Sequence, residues 1–166
     1  MLSEKQLEEM YAENQIRKKL HIYIRGIDRW DKGALLKVFH KDSEVHNGPW
    51  FEGTGMAFIE NAMDDLNNYT MSYHQISTSL ITVEGDTAGS ETYVFACFRS
   101  VDNGKMIQQN CRGRYCDEWI FEDGEWWIKN RRFLQDIDDF VDIRKDGPVF
   151  GGARDKSDPT YAVLKY

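Results

Sequence analysis

Between residues 4 and 27 the chain sets apolar side chains among charged ones at helical spacing. Leu7, Met10, Tyr11, Leu20, Tyr23, Ile24 and Ile27 recur at steps of three or four or their multiples. This spacing predicts one long amphipathic helix, opened by Ser3 and Gln6 in a capping box. Asp28 to Lys32 is its exit turn, and Ala34, Leu35, Val38 and Phe39 form the apolar face of a short second helix. Residues 42–51 read as extended. Gly53-Thr54-Gly55 then opens a third helix over 55–67, carrying Met56, Phe58, Ile59, Met63 and Leu66. From Tyr69 the pattern changes. Residues 71–83, 88–101, 106–121 and 125–137 are rich in β-branched and aromatic types. They are separated by Glu84-Gly85-Asp86, Asp102-Asn103-Gly104 and Glu122-Asp123-Gly124, which are hairpin signals. The result is a four-strand antiparallel meander, and helices followed by strands indicate an α+β domain.

The expected shape is a cone-shaped α+β barrel. A curved antiparallel sheet carries the N-terminal helices across its concave face, and the interior of the cone is the pocket. The domain is expected over residues 1–137. Residues 138–166 form a C-terminal tail whose ending, Tyr161-Ala-Val-Leu-Lys-Tyr, is apolar enough to cover a pocket or a subunit interface, unless it is simply loose.

Composition narrows the function. A chain of 166 residues with 41% hydrophobic residues suits one globular domain. A net charge of −7 argues against nucleic acid or an anionic membrane as partner. No apolar run is long enough to span a bilayer, and the charged N-terminus is unlike a signal peptide. Cys97, Cys111 and Cys116 read as free thiols of a cytoplasmic protein. The aromatic fraction, 13%, is high and points to a large core, an aromatic-lined pocket, or both.

Polar groups pointing into an apolar interior are costly unless paired, so they are the candidates for chemistry. Asp28 ends the first helix and His74 begins the first long strand. A histidine held by an aspartate in an apolar cavity is a general base near neutral pH. The alternative is structural, with Asp28 capping the second helix and His74 packed in a strand.

Three segments resemble a known family. Residues 23–42 (Tyr-Ile-Arg-Gly-Ile-Asp-Arg-Trp through Phe39-His-Lys-Asp42) look like the opening of SnoaL-like domains of the nuclear transport factor 2-like superfamily. His74, Thr78 and Val83-Glu-Gly-Asp-Thr-Ala88 look like its first long strand and turn, and Gly113 to Arg132 looks like its last hairpin. The resemblance covers about residues 10–136 and implies a cystatin-like fold. It also implies kinship to scytalone dehydratase, bile acid 7α-dehydratase and hexachlorocyclohexane dehydrochlorinase, which share an Asp–His dyad. Asp28 and His74 fall on those positions. Tyr23 matches a tyrosine five residues before the dehydratase aspartate, where the dehydrochlorinase has a lysine. Arg131 matches an arginine after the Asp-Gly-x-Trp turn, and strand alternation lets only one of Arg131 and Arg132 face inward.

The resemblance implies a cofactor-independent lyase acting on a small aromatic or polycyclic substrate. His74 removes a proton, Asp28 orients the ring, Tyr23 donates to the leaving hydroxyl and Arg131 stabilises developing negative charge. The same set suits loss of formaldehyde from a hydroxymethyl-bearing aromatic. Two alternatives remain: a double-bond isomerase with the same base, and a non-catalytic protein such as a small subunit of an aromatic-ring dioxygenase or a ligand-binding domain. The family implies a homo-oligomer, either trimer or dimer.

Tyr73, Tyr115, Trp119 and Trp50 are the candidates for the substrate-binding wall, and Cys97 could line it as a small apolar residue. No metal is expected. His40, Asp42, Glu44 and His46 alternate along one strand face, but exposed strand faces are polar in any case. Gly53-Thr-Gly55 lacks the third glycine and preceding strand of a dinucleotide site.

Overall fold

The first helix, α1 (Glu4–Asp28), begins with the expected capping box. The Gln6 amide donates to Ser3 Oγ at 3.2 Å, and the Ser3 amide donates to Gln6 Oε1 at 2.9 Å. Its buried stripe is Ala12, Ile16, Leu20, Tyr23 and Ile27, at steps of three and four. Leu7, Met10 and Tyr11 are exposed, so the first turns carry apolar residues that the core does not use. Asp28 does not cap the next helix. Asp31 does, accepting the Ala34 amide at 3.1 Å and opening α2 (Lys32–Leu35). A Cβ on Gly26 would lie 2.7 Å from Leu35 Cδ2, which is why α1 and α2 approach so closely at a glycine.

The computed structural model describes residues 1–143, 147 and 151–164, without the side chain of Leu66. The last two residues of the apolar ending lie outside them. After α2 come β1 (Phe39–His46), β2 (Glu52–Thr54) and α3 (Gly55–Asp65). Phe39 therefore belongs to a strand and not to the second helix. The strands β3 (Met71–Glu84), β4 (Thr87–Asp102), β5 (Lys105–Glu122) and β6 (Glu125–Ile143) form the expected meander. Two of its turns place both central residues at positive φ: Asn103 at 49° with Gly104 at 77°, and Asp123 at 54° with Gly124 at 81°. That conformation matches the right-handed twist of the flanking strands.

The sheet corrects the expected shape. It has six strands in the order β2-β1-β6-β5-β4-β3, and β1 runs parallel to β6. It is a mixed, open sheet, not an antiparallel barrel or a closed cone. Closure would require β3 to bond to β2, yet these are the two opposite edges of the order. The helix α1 packs against both β3 and β6, occupying the space around which a closed sheet would have to curl. The core lies between α1 and the sheet, where Ile16, Leu20, Leu35, Trp119 and Ile128 are almost wholly buried.

The strand β6 continues past residue 137 to Ile143. Beyond it, residues 151–164 include α4 (Thr160–Val163) and contact the α1–α2 turn. Arg29 Nε lies 3.3 Å from Asp158 Oδ2, and the Tyr161 hydroxyl donates to Asp31 Oδ2 at 2.8 Å. The Arg25 guanidinium sits 4.2 Å from the Tyr161 ring centre.

Candidate active site

Asp28 and His74 meet although 46 residues separate them in sequence. The last turn of α1 delivers Asp28, and β3 delivers His74 on its inward face. Asp28 Oδ1 lies 2.7 Å from His74 Nδ1, and Asp28 Oδ2 accepts the His74 backbone amide at 3.0 Å. Both residues are buried. The two carboxylate oxygens thus grip side chain and backbone together, which fixes the ring. A carboxylate facing Nδ1 selects the tautomer with hydrogen on Nδ1 and a lone pair on Nε2. Phe98 packs edge-on to the imidazole at 5.3 Å, closing one side.

His74 lines a cavity of about 280 Å³ between the sheet, α1 and α3. Tyr23 and Ile27 from α1, Phe58 from α3, and Val94, Ala96 and Phe98 from β4 supply much of its wall. Tyr23 lies within five residues of Asp28 on the same helix, so one element presents both. Burial pushes the Tyr23 hydroxyl above its ordinary value, against the opposing pull of the Arg131 guanidinium. Burial likewise holds the Tyr115 hydroxyl well above its usual range. Burial outweighs the opposing pull of Arg131 and Tyr115, so the Tyr23 hydroxyl stays protonated at neutral pH and can donate.

Arg131 sits behind this pair. Its side chain is 1% exposed, and it is held by Asp117 through Nε–Oδ1 at 2.7 Å and Nη2–Oδ2 at 2.8 Å. The guanidinium packs against the rings of Tyr23 and Tyr115, at 4.1 and 4.3 Å from their centres, while the two rings meet edge-on at 5.5 Å. Arg132 is exposed, so the alternation resolves in favour of Arg131 as the inward residue. Arg131 does not reach the cavity wall, however. Its guanidinium contacts the two tyrosine rings that do line it.

The remaining candidates divide. Tyr115 lines the cavity, and Trp50 stands at its rim beside Phe133 at 6.2 Å between ring centres. Tyr73 lies outside the wall, because it neighbours His74 on a strand and faces the opposite side, 53% exposed. Trp119 also lies outside it. This residue shares the Tyr115 face but sits further along β5 under α1, where its Nε1 donates to Ser90 Oγ at 2.8 Å. Cys97 faces away, and Cys111 takes the lining position instead. The three cysteines are free thiols. Burial, helped by Asp138, raises the Cys111 thiol to about 11.

Sequence reasoning missed Asp117, Phe98 and a polar set at the rim: Asn47, Asn61, Asp65, Gln109 and Gln135. Only the inward phase of β4 and β5, set by His74, could have pointed to Phe98 and Gln109. Among the described residues no group of three His, Cys, Asp or Glu is placed to hold a metal. His40 instead pairs with Glu122 at 2.7 Å. No helix among them is long and apolar enough to cross a membrane.

Solved structures share this architecture. A protein from Kribbella flavida superposes with a TM-score of 0.71 at 11% identity, covering 78% of this chain and 94% of its own. A protein from Novosphingobium aromaticivorans, provisionally named a scytalone dehydratase, gives a TM-score of 0.71 at 21% identity, covering 85% and 95%. The hexachlorocyclohexane dehydrochlorinase LinA-type3 from Novosphingobium barchaimii gives 0.71 at 15% identity, covering 84% and 95%. At such identities the likeness shows a common fold. No curated protein matches this chain in sequence. The family model of the SnoaL-like domain matches residues 8–132, three-quarters of the length, and the chain belongs to the SnoaL-like family.

Proposed function

We propose that this protein is a lyase that eliminates water or a comparable leaving group from a small apolar ring compound. One observation carries the reading: a buried Asp–His pair at 2.7 Å whose histidine lines a cavity with a largely aromatic and apolar wall. With Nδ1 engaged by Asp28, Nε2 is the ring nitrogen left to take a proton from carbon. Asp28 stabilises the imidazolium that forms. The protonated Tyr23 hydroxyl donates to the departing oxygen, or to an enolate oxygen formed on the way, and then recovers the proton held by His74 through solvent. Arg131 acts through the tyrosines, holding their rings and favouring negative charge that develops at their hydroxyls.

The names of two similar structures, a dehydrochlorinase and a provisional scytalone dehydratase, both denote eliminations and support the same reaction class. A bare binding domain has no use for a desolvated, oriented base. The test is a panel of β-hydroxy and β-halo cyclic ketones, followed by ultraviolet absorbance of the conjugated product. Wild-type protein is expected to turn over at least one member. His74→Ala and Asp28→Asn are expected to lose a factor of about 10²–10⁴ while remaining folded. Full activity in His74→Ala overturns the proposal.

A further inference from the structure

Resting on that reading, we propose that the substrate is a neutral, flat compound of one or two rings carrying a hydroxyl at the end remote from the reacting carbon. Gln109 and Gln135 are the residues that recognise that hydroxyl. His74 pairs with Ala96, and Ala96 pairs with Cys111, so these three residues cross the sheet in one row. Neighbouring strands are about 4.8 Å apart, which places Cys111 about 10 Å from the strand that carries the base. Ala96 and Cys111 are small, and between them they make a low floor on which a planar ring can lie.

Beyond the floor the wall becomes polar. Gln109 lines the cavity and its Nε2 donates to Asp138 at 2.9 and 3.2 Å, which leaves Oε1 as the acceptor atom of that amide. Gln135 Oε1 accepts from Cys111 Sγ at 3.4 Å, which leaves the Gln135 amide as a donor. Cys111 and Asp138 are paired across β5 and β6, so both glutamine side chains reach the same row, and a donor and an acceptor brought to one row suit a hydroxyl, which is both. A carboxylate suits neither the Gln109 oxygen nor Asp65, which also lines the cavity. No lysine or arginine among the described residues lines the cavity to offset an anion. The volume adds a bound. About 280 Å³ lies at the low end of ligand pockets, roughly 300–1,000 Å³, and suits one or two fused rings rather than four.

Isothermal titration of the full chain with 2-naphthol, 2-methylnaphthalene and 2-naphthoate tests this. The first two differ by hydroxyl against methyl, and 2-naphthol is expected to bind about fivefold tighter, the worth of one neutral hydrogen bond. The double variant Gln109→Leu/Gln135→Leu is expected to erase that advantage while leaving 2-methylnaphthalene affinity within twofold. His74→Ala is expected to keep it. 2-Naphthoate is expected to bind more weakly than 2-naphthol. Equal affinity for naphthol and methylnaphthalene in the wild type overturns the proposal, as does tighter binding of naphthoate. An advantage lost in His74→Ala but kept in the glutamine double variant also overturns it, since the hydroxyl then sits at the base. These rankings do not depend on turnover, so failure of the elimination reading shows separately, as activity that survives His74→Ala.

Discussion

Replacing Asp117 by asparagine removes the counter-ion of Arg131 while keeping the shape of the site. The guanidinium cannot escape to water, because its side chain is 1% exposed and the rings of Tyr23, Tyr115 and Phe39 pack around it. Both bonds from Asp117, at 2.7 and 2.8 Å, lose their charge assistance, and one oxygen becomes an amide that repels the guanidinium hydrogens. Breaking a buried pair by removing one partner costs about 3–5 kcal/mol, most of it the penalty of an uncompensated charge. Against a total stability of about 5–15 kcal/mol this is a large share. Urea unfolding followed by tryptophan fluorescence reads it directly. With a slope near 2 kcal/mol per molar, the midpoint should fall by about 1.5–2.5 M. The double variant Asp117→Leu/Arg131→Met removes both charges and should recover most of that loss. A fall below about 0.5 M in Asp117→Asn, or a double variant as unstable as the single, refutes the account of Arg131 as a locked prop.

Three other outcomes follow from the structure. Hydrogen bonds from Lys156 and Tyr161 hold the Asp31 carboxyl below its usual range despite opposing burial, and bonds from Thr160 and Ala153 do the same for Asp158. Folded values below the unfolded value of about 3.9 mean that docking of residues 151–164 is fully supported above about pH 4 and weakens as pH falls further. Nuclear Overhauser contacts between the Tyr161 ring and Arg25 should be full at pH 6 and weaken progressively only below pH 4; contacts already lost at pH 5 contradict this. With its thiol near 11, Cys111 is only about 0.1% thiolate at pH 8, so iodoacetamide should label it at least a hundredfold more slowly than a free cysteine peptide. A Cβ on Gly113 would lie 2.2 Å from the Leu134 carbonyl oxygen, a backbone atom that cannot swing aside. Gly113→Ala should therefore destabilise by about 1–3 kcal/mol in the same urea assay, and a neutral result shows that the β5–β6 bulge is pliable.

The elements legible in the sequence were those written in local periods. The helix α1, its capping box and the three hairpins leave period-3.6 and period-2 signals or an Asn-Gly turn, and all are present. The parallel pairing of β1 with β6 leaves no such trace, because it joins residues over 80 positions apart through a register no short motif encodes. That pairing makes the sheet mixed, and the unpaired edge strands β2 and β3 leave it open where a barrel was expected. The site divides in the same way. Asp28 at a helix end and His74 at a strand start left a structural alternative open, the family resemblance paired them, and the structure brings them together at 2.7 Å. Once His74 faces inward, alternation sends Tyr73 outward, so those two candidates excluded each other from the beginning. Trp119 shows a different limit, since facing the correct side does not tell how far along a strand the pocket extends. Asp117 was invisible because only the three-dimensional neighbour, Arg131, gives it a purpose.

The central claim is that His74 is the base, and chemical rescue tests it most directly. His74→Gly removes the imidazole and leaves a gap beside Asp28 and the cavity. Turnover of the best panel substrate is to be measured in this variant with and without added imidazole. The account expects a loss of about 10²–10⁴-fold, partly restored by imidazole in proportion to its neutral form. Undiminished turnover in His74→Gly without imidazole contradicts it.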